Sequence, residues 1–146
     1  MNHSTKTIVA IVGLLAVLVL GFQTRAQMSG PTSTAAPVAI LVQNPQQLPV
    51  VLRTAGEMHA GSPDMPARDV HVIVCGRAVE GLAAGNEHEA LLEETTAAGV
   101  RVAACGISLD KVEMSPDSLV EGVDTVQNGL TEMVKLADDG AVTLPL

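Results

Sequence analysis

Aromatic side chains are almost missing from this sequence: its 146 residues include one Phe and no Tyr or Trp. That residue, Phe22, falls in an N-terminal apolar run, so nothing after it offers a ring on which a base or sugar could stack. Basic side chains are scarce as well, with eight Lys and Arg against sixteen Asp and Glu and a formal net charge of −8. Without a basic stripe to neutralise phosphates, neither nucleic acid nor an anionic lipid surface is an expected partner. Cysteine occurs twice, at Cys75 and Cys105, and never as Cys-x-x-Cys. His-x-x-x-His and Glu-x-x-His are absent too, so no metal site is expected. There is no Gly-x-Gly-x-x-Gly or Walker loop, and Ser108 lacks the context of a nucleophile elbow, so no bound cofactor is expected either.

What is present begins with a leader. Ile8 to Phe22 carries no charge, follows Lys6 and precedes Thr24-Arg25-Ala26. This is a basic segment, an apolar segment of signal-peptide length and a small-x-small cleavage site after Ala26. The run is shorter than the roughly 20 residues of a spanning helix. Residues 1–26 are therefore read as a secretory signal or, if retained, a membrane anchor, the only expected contact with a membrane, and the mature chain is expected in the periplasm or otherwise exported. All the acidic residues lie beyond Ala26, so the exported part is more acidic than the whole. Residues 27–37, rich in Ser, Thr, Gly and Pro, form an expected linker, and residues 38–146 one domain.

Within that domain, short apolar runs alternate with helical patterns. Val38–Val42, Val70–Cys75 and Val100–Cys105 have the continuous apolar character of strands buried on both faces; Val123–Val126 and Ala141–Leu144 are shorter candidates. After the first run, Asn44-Pro45 starts a helix carrying Leu48, Val51, Leu52, Ala55 and Met58 inward. After the second, a helical turn over Ala78–Leu82 breaks at Gly85. Asn86 and Glu89 then form an Asn-led capping box for a helix burying Ala90, Leu91 and Ala97 or Ala98, stopped by Gly99. After the third come a turn at Ser108–Val112 and a strong helix start at Ser115-Pro116-Asp117. Asn128-Gly129 opens a last helix with Leu130, Met133, Val134, Leu136 and Ala137 inward. Five strand–helix alternations call for an α/β fold, a parallel sheet with helices on both faces.

The chemistry concentrates at Cys105, where an apolar strand ends in Cys-Gly and a helix-compatible segment follows. Ligands of open parallel sheets bind at this C-terminal edge, and a thiol meeting a helix start there is favoured as thiolate. Gly106 leaves the sulfur uncovered, and the backbone amides of Gly106, Ile107 and Ser108 are candidate donors to it. The plainer reading is a small hydrophobe at a strand end. Cys75 also closes a strand before a glycine. If the two strands are neighbours, their ends lie about 4.8 Å apart, and the pair is a redox dithiol, a resolving arrangement or an inert bridge.

Gly99-Val100 leading into Ala104-Cys105-Gly106-Ile107-Ser108-Leu109, then Leu119-Val120-Glu121-Gly122-Val123-Asp124-Thr125-Val126-Gln127-Asn128-Gly129, and the closing Leu136-Ala137-Asp138-Asp139-Gly140, resemble the DsrE/DsrF-like family of small sulfur-relay proteins. The resemblance spans about Val38 to Leu144. It implies a three-layer α/β/α fold with a five-stranded parallel sheet, and assembly into trimers or hexamers. It also implies a carrier cysteine holding sulfur as a persulfide, a role that falls on Cys105, with sulfur donor and acceptor proteins as partners. The functional expectation is an exported persulfide carrier. Its alternatives are an oligomeric binding or scaffold module with structural cysteines, and a thiol–disulfide redox partner.

Overall fold

The computed structural model describes residues 35–146. The leader, its cleavage position and residues 27–34 of the expected linker lie outside them. Ala36 and Pro37, expected as linker, already join the fold, accepting hydrogen bonds from the backbone N–H groups of Arg68 (3.4 Å) and Val142 (2.9 Å).

Five strands form one sheet: β1 (Val38–Val42), β2 (Val70–Val74), β3 (Arg101–Cys105), β4 (Asp124–Val126) and β5 (Val142–Pro145). Every pairing is parallel, in the order β4-β3-β2-β1-β5. The helices are α1 (Leu48–His59), α2 (Glu89–Ala97), α3 (Gly106–Lys111) and α4 (Gly129–Asp138). Short 3-10 turns cover Pro45–Gln47, Gly76–Leu82 and Pro116–Ser118. The expected three-layer α/β/α arrangement with a five-stranded parallel sheet is what the chain forms.

The strand order decides which face each connection covers. From β1 to β4 the chain steps one way across the sheet, so right-handed crossovers put α1, α2 and their companion turns on a single face. The step from β4 to β5 runs back past three strands, which puts α4, alone among the described helices, on the opposite face. The side chains divide accordingly, because successive strand residues point to opposite faces. Ile40, Val42, Val72, Val74, Val102 and Ala104 join the larger core with Leu48, Leu52, Leu82 and Leu92. Ala39, Leu41, Ile73, Cys75, Ala103 and Cys105 join a smaller core closed by Met133 of α4. Fully burying a Val or Leu side chain contributes about 1.5–3 kcal/mol, so the aliphatic larger core holds the domain without an aromatic residue.

Four local expectations are corrected. Ser115-Pro116-Asp117 opens only a 3-10 turn, although Ser115 Oγ does accept from Asp117 N–H. The chain then leaves helical geometry because Ala84 N–H donates to Ser118 and Val120 N–H to Leu82, zipping this segment onto the loop after the second 3-10 turn. Helix α2 buries Leu92 and Thr95 and half-buries Leu91, while Ala90, Ala97 and Ala98 are exposed. Thr95 tolerates burial because its hydroxyl donates to Leu91 O at 2.6 Å. The capping box is displaced by one residue: Asn86 Oδ1 accepts from His88 N–H, and Glu89 Oε2 reaches back to Gly85 N–H rather than to Asn86. On α4, Gly129 and Met133 face the sheet and Leu136 is half-buried, whereas Leu130 and Val134 are 59% and 68% exposed and Ala137 is exposed. One helix laid on a sheet with no other described helix beside it buries a narrow stripe. The rest of its apolar surface stays outside.

Candidate functional site

Cys105 ends β3 and stands immediately before α3, as its sequence context predicted. Register places Val74 opposite Ala104, so Cys75 and Cys105 are the next residues along two hydrogen-bonded neighbours. Both side chains project to the α4 face. Adjacent strands put their Cα atoms about 4.8 Å apart, inside the roughly 4.4–6.8 Å range of a disulfide. In this structure both cysteines are free thiols.

The donor to the sulfur differs from expectation. Cys105 Sγ accepts a hydrogen bond at 3.3 Å from the backbone N–H of Gly129, the first residue of α4, rather than relying on the helix directly after the strand. Of the three amides nominated from sequence, Ser108 contributes, and its hydroxyl contributes as well; Gly106 and Ile107 make no such bond to the sulfur. Burial tends to raise the Cys105 pKa. The hydrogen bonds from Gly129 N–H, from the Ser108 hydroxyl and amide and from the Cys75 thiol outweigh it, and hold the pKa below the ordinary thiol value. Cys75 goes the other way. Desolvation, the neighbouring Cys105 charge and its hydrogen bond to Cys105 push its pKa up to about 12, against a smaller opposing effect of Ser108. The pair is therefore asymmetric, with Cys105 the more acidic thiol and Cys75 the one that holds its proton more firmly.

Ser108 is fixed from the other side. Its Oγ accepts from Gly76 N–H at 2.8 Å, tying the residue after Cys75 to the first turn of α3. With that lone pair occupied, the single hydroxyl proton remains for a sulfur.

Two glycines make room for this arrangement. A Cβ on Gly129 would collide with Cys75 Sγ and lie 2.9 Å from Ile73 Cγ2 and 3.3 Å from Cys105 Cβ. Only a residue without a side chain lets α4 come down on the thiol pair. Gly106 has a related role and not the one its sequence position implied. A Cβ there would meet the carbonyl oxygens of Val126 at 3.3 Å and Gln127 at 3.4 Å, so the missing side chain admits the connection from β4 to α4. The sulfur is not left open: Cys105 is 4% exposed and Cys75 7%. Ile107, by contrast, carries its side chain into solvent at 44%.

Two clefts reach the neighbours of the thiols. One of about 400 Å³ is lined by Gly76 and Ser108 with Arg77 and Lys111 at its rim. Another, of about 610 Å³, runs along the α4 face past His71 and Arg101 to Ile73 and Ala103, two residues below the cysteines. Gly129 is the functional residue that sequence reasoning overlooked. Its signal was a glycine at the first position of a well-capped helix, where residues other than glycine start a helix at least as well.

Fold and site together define a parallel α/β domain with an asymmetric dithiol at the C-terminal edge of two neighbouring interior strands, β2 and β3. No protein-family pattern matches the sequence, and no curated protein matches it. Solved structures do share the fold. A protein of unknown function from Methanobacterium thermoautotrophicum, MTH1491, superposes with a TM-score of 0.65 at 22% identity, covering 77% of this chain and 98% of its own. A conserved protein of unknown function from Bacteroides thetaiotaomicron, BT1422, gives 0.62 at 13% identity over 75% of this chain and 94% of its own. The ychN protein of E. coli gives 0.61 at 19% identity over 77% and 98%. At these identities the likeness concerns architecture.

Proposed function

We propose that this domain is an exported sulfur carrier of the DsrE/DsrF-like kind, in which Cys105 takes up a sulfane sulfur as a persulfide. The observation that carries the reading is the set of hydrogen bonds on Cys105 Sγ from Gly129 N–H, Ser108 and Cys75. A cysteine serving only as a small hydrophobe has no use for such a set, whereas a nucleophilic thiolate depends on one. With thiosulfate as donor, the Cys105 thiolate attacks the outer sulfur, the S–S bond of thiosulfate breaks, and sulfite leaves with the electron pair. Because Cys105 is 4% exposed and Gly129 is seated on the thiol pair, uptake requires the start of α4 to lift, a local opening of the kind less stable segments undergo.

The test is to incubate the reduced protein with thiosulfate and count sulfite. About one sulfite per protomer is expected from the wild type and none from Cys105→Ser. No release from the wild type, with a sulfane donor of the polysulfide type failing as well, would end the carrier reading. The 4% exposure of Cys105 favours a second reading, an oligomeric binding module with structural cysteines, and that result would leave it standing. We also propose that the domain acts as a homo-oligomer. Leu130 and Val134 form an exposed apolar stripe on α4, and Val142, Leu144 and Leu146 are exposed along the edge strand and chain end beside it. A second copy laid over them would bury surface that the single subunit leaves to water.

A further inference from the structure

The carrier reading uses Cys75 only as a hydrogen-bond donor, yet its placement gives it chemistry of its own. We propose that Cys75 is the resolving thiol of Cys105: it attacks Sγ of the persulfidated Cys105, expels the outer sulfur as hydrosulfide and closes an intramolecular disulfide. This rests on the persulfide reading of Cys105 and adds the fate of the sulfur to it.

Three observations carry the step. The two cysteines follow a registered pair on adjacent parallel strands and face the same side, so their Cα spacing suits a disulfide without backbone movement. Ser108, pinned by Gly76 N–H at 2.8 Å, lowers the pKa of both thiols, and the Cys105 charge acts directly on Cys75, which places the two sulfurs within interaction range of each other. A Cβ built on Gly129 would meet both Cys75 Sγ and Cys105 Cβ, so the two thiol-bearing side chains converge on the same point beneath α4.

The step balances within the site. One S–S bond, between Cys105 Sγ and the outer sulfur, breaks as another, between Cys75 and Cys105, forms. The outer sulfur is reduced to the sulfide level while the two cysteine sulfurs are oxidised to a disulfide. The proton that Cys75 carries leaves on the departing sulfur, which therefore goes as HS⁻. No external oxidant is needed. A dithiol reductant of the exported compartment must reopen the bridge before the next cycle.

Competition favours this route over transfer to a diffusing thiol. Groups held in reacting geometry attain effective concentrations of about 10⁵ M or more, far above the millimolar level of small thiols. An acceptor in solution would receive sulfur only where Cys75 is withheld from attack.

The experiment loads reduced protein with thiosulfate, whose leaving group is sulfite, and follows sulfite, sulfide and intact mass together. The wild type is expected to release about one sulfide for each sulfite and to end about 2 Da lighter, as a disulfide. Cys75→Ser is expected to release sulfite without sulfide and to accumulate a product about 32 Da heavier, the persulfide. Cys75→Ala is run beside it to guard against loss of folding in one variant, with circular dichroism as the check. A wild type that releases sulfite but keeps the heavier mass and yields no sulfide overturns the resolving role and leaves the carrier reading intact. No sulfite from the wild type or either Cys75 variant, with no gain of about 32 Da from a polysulfide donor either, overturns the carrier reading itself.

Discussion

Replacing Gly129 by alanine tests how the site is built, because the same chemical change elsewhere in the chain should have the opposite sign. At Gly56, within α1, an added Cβ meets nothing within 4 Å. There Gly→Ala should stabilise the domain by about 0.4–1 kcal/mol, through helix propensity and a less disordered unfolded chain. At Gly129 the methyl would collide with Cys75 Sγ and sit 2.9 Å from Ile73 Cγ2, both anchored on a central strand that cannot retreat. Forcing an extra methyl into packed surroundings costs about 1–3 kcal/mol. At roughly 4 °C per kcal/mol for a domain of this size, Gly129→Ala should melt about 4–12 °C below wild type. The displaced helix start also withdraws its amide from Cys105 Sγ, so alkylation of Cys105 should require a higher pH. The assay pairs thermal unfolding of both variants with the pH dependence of alkylation by a small haloacetamide. A Gly129→Ala protein as stable as wild type, with its alkylation profile unmoved, would refute the claim that α4 is seated on the thiol pair.

Ser108→Ala should slow alkylation of Cys105 at neutral pH by roughly tenfold or more, since a hydrogen bond to a charged group contributes about 1.5–3 kcal/mol; an unchanged rate would remove Ser108 from the site. Cys75 gives a signature at high pH. Its folded value of about 12 lies above its ordinary 9.0, so between those values the unfolded chain binds fewer protons. The stability it contributes is complete below pH 9 and is lost as pH rises through 12, and Cys75→Ser should remove that part of the alkaline slope in urea titrations. Substituting Leu130 and Val134 together by aspartate should dissociate any oligomer seen by sedimentation velocity while leaving the subunit folded by circular dichroism, because both side chains are exposed in the single subunit. A wild type that sediments as a monomer at micromolar concentration would eliminate the interface.

The sheet was legible in the sequence because its central strands are buried on both faces: Val38–Val42 and the runs closing at Cys75 and Cys105 admit no polar residue except His71 and Arg101. What the sequence could not convey was the order of those strands. With that order missing, the neighbouring of Cys75 and Cys105 stayed conditional, and Gly129, twenty-four residues away from Cys105, could not be connected to it. The periodicity of α4 misled for a related reason. Leu130 and Val134 recur at helical spacing, but spacing identifies an apolar stripe without saying whether anything in the same subunit covers it. At Ser115-Pro116-Asp117 the local signal was real, and Ser115 caps its turn. It lost to backbone pairing with the loop at Leu82–Ala84, a non-local contact that no capping rule registers.

The same topology ties the reactivity of the dithiol to the hold of one helix. The face carrying α1 and α2 is closed by many leucines and valines, but the opposite face keeps α4 in place with Met133, part of Leu136 and the close seating of Gly129. At about 1.5–3 kcal/mol for a fully buried side chain, lifting the first turns of α4 costs far less than unfolding the sheet. Opening therefore belongs to the low end of the domain's range of local stabilities. On the proposed carrier reading, an opening that admitted a sulfur donor would also take away the Gly129 amide and so make Cys105 less acidic. On that reading attack would occur while the turn is only partly lifted, which would select for small donors over protein-sized ones. A second subunit packed over Leu130 and Val134 would stiffen this lid. Assembly and sulfur uptake should accordingly oppose each other, with alkylation of Cys105 becoming slower as protein concentration rises through the association range. A labelling rate independent of concentration, in a protein shown to associate, would break that coupling.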